Sequence, residues 1–225
     1  MSPEVIVHNS VTLDNAFTAD AFAKKGIDIG LHYEVLLSFE PDALIIGSGS
    51  SVKGAEMCGD DFPREEESDF IKPQTDPSDK RPCGIFVDSR GLLLGKLHFY
   101  RRLSHIKNVV VLISETTPKN YVSYLEGRGY DYIVSGSDRI SLYSALKEAE
   151  RRYGFRRVVS DSGGTLNGVI LNEGLADVLS LLVYPVVAGR GSRKLFENVN
   201  VPFSMELVRS GLKKDGIIHN IYRIE

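Results

Sequence analysis

The stretch VVSDSGGTLNGVILNEGLADVLSLLVYPVVAGRGSRKLF, residues 158–196, decides how the rest of the chain is read. A β-branched run, Arg157 to Ser160, leads into a double glycine, Gly163-Gly164. Thr165 to Asn172 has helical character, and Val178 to Val187 is an apolar run closed by a second glycine turn, Gly189-Arg190-Gly191. The order strand, glycine turn, helix, strand, glycine turn is one βαβ crossover with backbone exposed at both turns. Paired glycines there let the chain pass close to a ligand and leave the first N–H groups of the helix to an anion. A phosphate or pyrophosphate suits that position. A merely tight turn is the competing reading.

Outward from that unit the alternation continues. Glu4 to His8, Ala43 to Ile46, Gly84 to Val87, Asn108 to Ser114 and Asp131 to Val134 read as strands. Asp20 to Phe39, Tyr121 to Arg128 and Ser141 to Tyr153 read as helices, the last with Leu142, Ala145, Leu146 and Ala149 on one face. Pro202 to Arg209 and Gly216 to Ile224 form an antiparallel pair joined by the polar turn Gly211 to Asp215. Residues 59–82 are charged, proline-rich and aperiodic, the pattern of a long surface loop whose acidic run is solvated. The expectation is a single α/β domain over residues 1–225, with a mixed, mostly parallel sheet, helices on both faces and an antiparallel C-terminal strand pair.

A chain of 225 residues, 42% apolar, suits one compact domain. Its net charge of −3 offers no general attraction to nucleic acid or anionic membrane. It contains no run of ~18 apolar residues and no charged-then-apolar leader, so no membrane span and no export are expected. Cys58 and Cys83 stand apart and the five histidines are scattered, which argues against a metal site and for reduced thiols in a cytoplasmic protein.

Gly163, Gly164, Leu166, Gly174, Leu175, Asp177, Pro185, Gly189, Gly191, Leu195 and Phe196 follow one another in an order that resembles a known family. That family is the C-terminal reductase domain of the riboflavin-biosynthesis deaminase/reductase and its stand-alone relatives. The resemblance implies a three-layer dihydrofolate-reductase-like fold, a homodimer and NADPH as cofactor. It implies reduction of the ribosylamino group of a phosphorylated pyrimidine, a 5-amino-6-(5-phosphoribosylamino)uracil reductase-like activity, to ribitylamino. The apolar run from Val178 serves either the dimer interface or the core.

The same resemblance assigns candidate site residues. Gly47, Gly49 and Ser50, in a G-x-G turn after a strand, would line the nicotinamide. Asp88, Ser89 and Arg90, from the V-D-S-x-G segment, would hold the adenosine side, with Arg90 suited to a 2′-phosphate. Ser135 or Gly136 would touch the adenine, and Gly163, Gly164 and Thr165 the pyrophosphate. Asp14, in Thr12-Leu13-Asp14-Asn15, is the catalytic and substrate candidate, with an Asx turn as the alternative. Asn15 stands where the family has glycine, and asparagine tolerates the left-handed backbone such a turn needs. The family's basic residue before Asp42-Ala43 is missing. Lys24, Lys25, His32 and Tyr33 are the nearest replacements, and Arg190, Arg193 and Lys194 are further cations for the substrate phosphate, with a basic surface loop as the stronger competing reading. Gly54 replaces a family aspartate. Hydride transfer needs alignment rather than a nucleophile or a metal, which fits motifs made of glycines and hydroxyls. Three alternatives remain: a dihydrofolate-type pteridine reductase using Glu34, a non-catalytic nucleotide-binding relative, and an NAD-linked Rossmann dehydrogenase using an acid among Glu65 to Asp69. Gly164→Val is expected to abolish cofactor binding with little loss of fold.

Overall fold

The protein is represented by a computed structural model that describes residues 2–17, 30–74, 76 and 78–225. In chain order its elements are β1 (Glu4–Thr12), α1 (Gly30–Leu37), β2 (Ala43–Gly47), α2 (Ser48–Glu56), β3 (Cys83–Val87), α3 (Leu97–Arg101), β4 (Val109–Ile113), α4 (Lys119–Gly127), β5 (Asp131–Val134), α5 (Leu142–Tyr153), β6 (Arg157–Ser160), α6 (Gly164–Asn172), β7 (Val178–Tyr184), β8 (Met205–Leu212) and β9 (Ile218–Ile224). The chain folds into two compact units, one built on Asp42–Val158 and the other on Glu4–Pro41 with Val159–Glu225; β6 carries the backbone from one to the other.

The first unit has four parallel strands in the order β5-β4-β3-β2. Parallel strands covered on both faces need continuous apolar sequence, and VVVLI in β4 is buried throughout. Phe86, Leu97, Val111, Tyr121 and Leu125 are central to its core. Helix α5 buries Leu142, Ala145, Leu146 and Ala149, as its periodicity predicts. Ser141 caps its start by accepting from the Ser144 N–H, and Gly154 (φ 72°) ends it in the left-handed conformation.

Residues 59–82 depart from the expected solvated loop. They contain two 3-10 turns, Gly59–Asp61 and Glu67–Phe70. Asp69 is buried against Arg102, and Glu65 pairs with Arg128 at 3.1 Å. Part of the acidic run therefore fastens this segment to its unit.

In the second unit β1 runs parallel to β7, with Ile6 to Thr12 opposite Val178 to Tyr184. β9 is antiparallel to β7, and β8 is antiparallel to β9 and outermost. The apolar run from Val178 is thus an interior strand flanked on both sides, and the exposed apolar residues Met205, Leu207, Val208 and Leu212 lie on β8 instead. Leu31 and Val35 of α1 pack on Leu182, Tyr184 and Ile217. The rest of the helix expected from Asp20, including Lys24 and Lys25, falls outside the described residues. No helix among the described residues is long and apolar enough to cross a membrane.

Candidate active site

In the second unit β6 ends at Ser160, and α6 begins at Gly164 with Gly163 as its N-cap. No side chain caps this helix start. Gly164 is required sterically: a Cβ there would stand 2.8 Å from the Leu195 carbonyl oxygen. The expectation that Gly164→Val spares the fold is therefore corrected, because the added carbons meet backbone that cannot swing away. Thr165 is exposed on the first turn, and the Arg193 guanidinium reaches its Oγ1 at 3.4 Å while pairing with Glu197 at 3.2 Å. A cation thus sits beside an uncapped helix N-terminus. Arg190 is exposed between Gly189 (φ 80°) and Gly191 (φ 90°), and no hydrogen bond or ion pair engages it among the described residues.

Asp14 is fully engaged. Its carboxylate accepts from Lys194 Nζ (2.6 Å), Thr12 Oγ1 (2.6 Å), Ala188 N (2.9 Å) and Gly189 N (2.9 Å). Lys194, then Thr12, then the Ala188 N–H hold this carboxyl well below the usual carboxylate range. Such a group clamps the second glycine loop to the end of β1 and is a poor proton donor. Asn15 does adopt the left-handed conformation (φ 63°).

The backbone before α6 is braced by a buried amide network that sequence reading did not find. The Ser162 carbonyl accepts from Asn9 Nδ2 (2.9 Å) and Asn167 Nδ2 (2.7 Å). Asn167 also donates to Asn9 Oδ1 (2.7 Å) and accepts from Ser160 Oγ (2.6 Å). Satisfied buried networks of this kind fix one backbone geometry. Beside them lies a second unforeseen group, His8, His32 and His219 with Asp161. The clue, legible only in hindsight, was the number of polar residues in strands whose neighbours are apolar.

In the first unit, Gly47 is the N-cap of α2, again without a side-chain cap. The expected glycine loop over 47–51 is in fact the first turn of that helix. Ser51 Oγ donates back to the Gly47 carbonyl at 3.2 Å, Ser50 is partly exposed, and a Cβ on Gly49 would meet nothing within 4 Å. Gly54 has a packing cause, since its Cβ would lie 3.1 Å from the Tyr100 hydroxyl, which donates to the Ser51 carbonyl. Asp88 is buried and shapes the next turn by accepting from Leu92 N (3.0 Å) and Leu93 N (2.9 Å). The Ser89 carbonyl accepts from Thr117 Oγ1 at 2.9 Å. Arg90 projects from that turn, exposed and unpaired among the described residues. Ser135 is buried, its hydroxyl donating to the Ser141 carbonyl at 3.0 Å. Asp88 and Ser135 thus shape the loops that present Ser89, Arg90 and Gly136, and Glu34 is an exposed residue of α1. No group of three or more His, Cys, Asp or Glu side chains among the described residues could hold a metal ion.

Residues 3–218 match the model of the RibD C-terminal domain. The chain belongs to that family. Over 216 residues, 95% of this chain and 93% of the relative, it is 28% identical to the 2,5-diamino-6-ribosylamino-4(3H)-pyrimidinone 5′-phosphate reductase of Methanothermobacter thermautotrophicus. The enzyme of the same name from Archaeoglobus fulgidus is 27% identical over 203 residues, 85% of each chain. Among solved structures, a pyrimidine reductase-like protein from Corynebacterium diphtheriae superimposes with a TM-score of 0.73 at 14% identity, covering 99% of this chain and 92% of that one. That likeness shows the fold of this RibD C-terminal family member, the dihydrofolate-reductase-like α/β arrangement expected from its sequence.

Proposed function

We propose that this protein is an NADPH-dependent reductase that converts the ribosylamino group of a phosphorylated diaminopyrimidinone or aminouracil to ribitylamino. Membership of the RibD C-terminal family supports the reaction class. The observation that carries the cofactor is the start of α6, where Gly163 leaves the helix without a side-chain cap and Gly164 permits only a hydrogen at Cα. Backbone N–H groups at such a helix start suit a pyrophosphate.

A reduced nicotinamide, when bound, supplies a hydride. In the second unit, Gly163, Gly164 and Thr165 are proposed to hold its pyrophosphate. In the first unit, taken by itself, Gly47, Gly49, Ser50, Ser89 and Arg90 are candidates on the family resemblance, with Asp88 and Ser135 shaping their loops. Arg90, exposed and unpaired, is the candidate for a 2′-phosphate, and this favours NADPH over NADH. Arg190 and Arg193 are proposed for the substrate phosphate, and Asp14 for holding the loop that carries them. A homodimer is proposed through β8, the edge strand of the described sheet, where Leu207 and Val208 are exposed. The protein is assigned to the cytoplasm.

The test is oxidation of NADPH by the purified protein with a ribosylaminopyrimidinone 5′-phosphate or with dihydrofolate. Turnover of the first alone supports the proposal, and turnover of the second alone replaces it with a folate-type activity. Arg90→Ala should reduce the NADPH/NADH affinity ratio roughly tenfold, the scale of one lost charge-assisted hydrogen bond; an unaltered ratio removes Arg90 from the 2′-phosphate.

A further inference from the structure

Histidines from β1, α1 and β9 meet in the second unit, and their hydrogen bonds give them different capacities. His8 Nε2 lies 3.2 Å from the His32 backbone carbonyl, which can only accept, so that nitrogen carries the proton. His8 Nδ1 then accepts from Ser180 Oγ (2.9 Å), and Ser180 accepts from His219 Nε2 (2.9 Å). Burial, with His32 and His219 nearby, holds His8 well below the usual imidazole pKa. Burial, then Lys213 and Arg209, brings His219 down to about 4. Both rings are neutral at physiological pH.

His32 is differently placed. Its Nε2 is 3.0 Å from Asp161 Oδ1 and its Nδ1 is 3.1 Å from Ser10 Oγ. A hydroxyl donates or accepts as required, so Ser10 can serve the ring whether or not Nδ1 carries a proton. The His8 ring, 4.6 Å away between centroids, is neutral and places no like charge against it. Tyr33, a further titratable neighbour among the described residues, has its hydroxyl raised to about 12, first by the Asp161 charge and then by burial. The pair opens outward through Asp161, whose side chain is 22% exposed against 10% for His32. Asp161 directly follows β6 and precedes the Ser162-Gly163 turn, at the carboxyl end of a strand, where ligands of open α/β sheets bind.

Building on the reductase reading above, we infer that Asp161 and His32, steadied by Ser10, deliver the proton that the reduction consumes. The C1′–O4′ bond of the ribosylamino group breaks with its electron pair on O4′, which takes the proton and becomes the 4′-hydroxyl. The nitrogen lone pair forms a C1′=N bond. Hydride from the cofactor adds to C1′ and that π pair returns to nitrogen, so one hydride and one proton are used in all. Asp161, the outer member, is the catalytic residue: its carboxylate takes the proton of His32 Nε2 and passes it on to O4′, returning to its charged form. His32 acts through it and is reprotonated from solvent.

The experiment compares wild type, His32→Gln and Asp161→Asn for turnover of the ribosylaminopyrimidinone 5′-phosphate across neutral and alkaline pH, alongside NADPH affinity and thermal midpoint. Wild-type kcat should fall on the alkaline side as one proton is lost. Each variant should lose roughly 100-fold in kcat and that alkaline limb, with NADPH affinity and midpoint nearly unchanged. Should His32→Gln not fold, Asp161→Asn carries the same expectation. Folded variants that keep kcat and the alkaline limb overturn the inference alone. A wild type that binds NADPH but reduces no ribosylamino substrate overturns the reductase reading with it.

Discussion

Each unit contains a strand that runs through glycine into a helix with no side-chain cap, β2–Gly47–α2 in the first and β6–Gly163–α6 in the second. The two look alike in sequence and differ in what requires the glycine. At Gly164 a Cβ collides with backbone, and the turn before it is held by Asn9, Asn167, Ser160 and Ser162. At Gly49 a Cβ would meet open space. A glycine demanded by packing reports on the fold, whereas one that the fold can spare is free to report on a ligand. The glycine of the second turn is demanded by packing whether or not a ligand binds there, and that of the first is not.

The largest effect should come from Gly164→Val. Forcing carbon against the Leu195 carbonyl should cost about 1–3 kcal/mol of stability and weaken NADPH binding at least roughly tenfold, read from denaturant unfolding and a fluorescence titration. Retained stability would dissolve the contrast between the turns. Asn167→Ala should follow closely, because it leaves the Ser160 hydroxyl and Asn9 Oδ1 without a buried partner, at about 1–3 kcal/mol. Its cofactor affinity should fall as well, since the Ser162 carbonyl loses the Asn167 donor.

Asp14 tests the second unit through pH. Its folded pKa lies below the unfolded value of 3.8, so its contribution to stability is present above that value and lost as pH falls through the folded one. Asp14→Asn should flatten the acid limb of the stability curve below about pH 4, as read by unfolding at stepped pH; an unchanged limb would contradict the clamp. The smallest effect belongs to Gly49→Ala. In a helix this exchange should stabilise by up to about 1 kcal/mol, yet lower NADPH affinity several-fold if the cofactor approaches the α2 turn. Unaltered affinity would remove Gly49 from the site.

Much of the architecture was legible because its causes are local. Runs such as VVVLI and the apolar face of α5 specify buried strand and amphipathic helix within one window. The glycine turn at 163–164 was visible for the same reason. Helix α3 escaped reading because LHFYR shows no resolved period over so few residues. The buried amides and histidines escaped for another reason: Asn9 and Asn167 are 158 positions apart, and His8 and Ser180 are 172 apart. No local pattern announces such a pair. Asp14 stands out in sequence as a lone acid after β1, while its four donors, three of them from residues 188–194, come together only when the second glycine loop closes over it.

The central claim is that a reduced nicotinamide nucleotide binds at the start of α6. Titrating the purified protein with NADPH and with NADH, by the change in nicotinamide fluorescence, tests it most directly. Saturable binding that is tighter for NADPH and is lost in Gly164→Val is the predicted result. Absence of binding by either nucleotide to folded wild-type protein would contradict it.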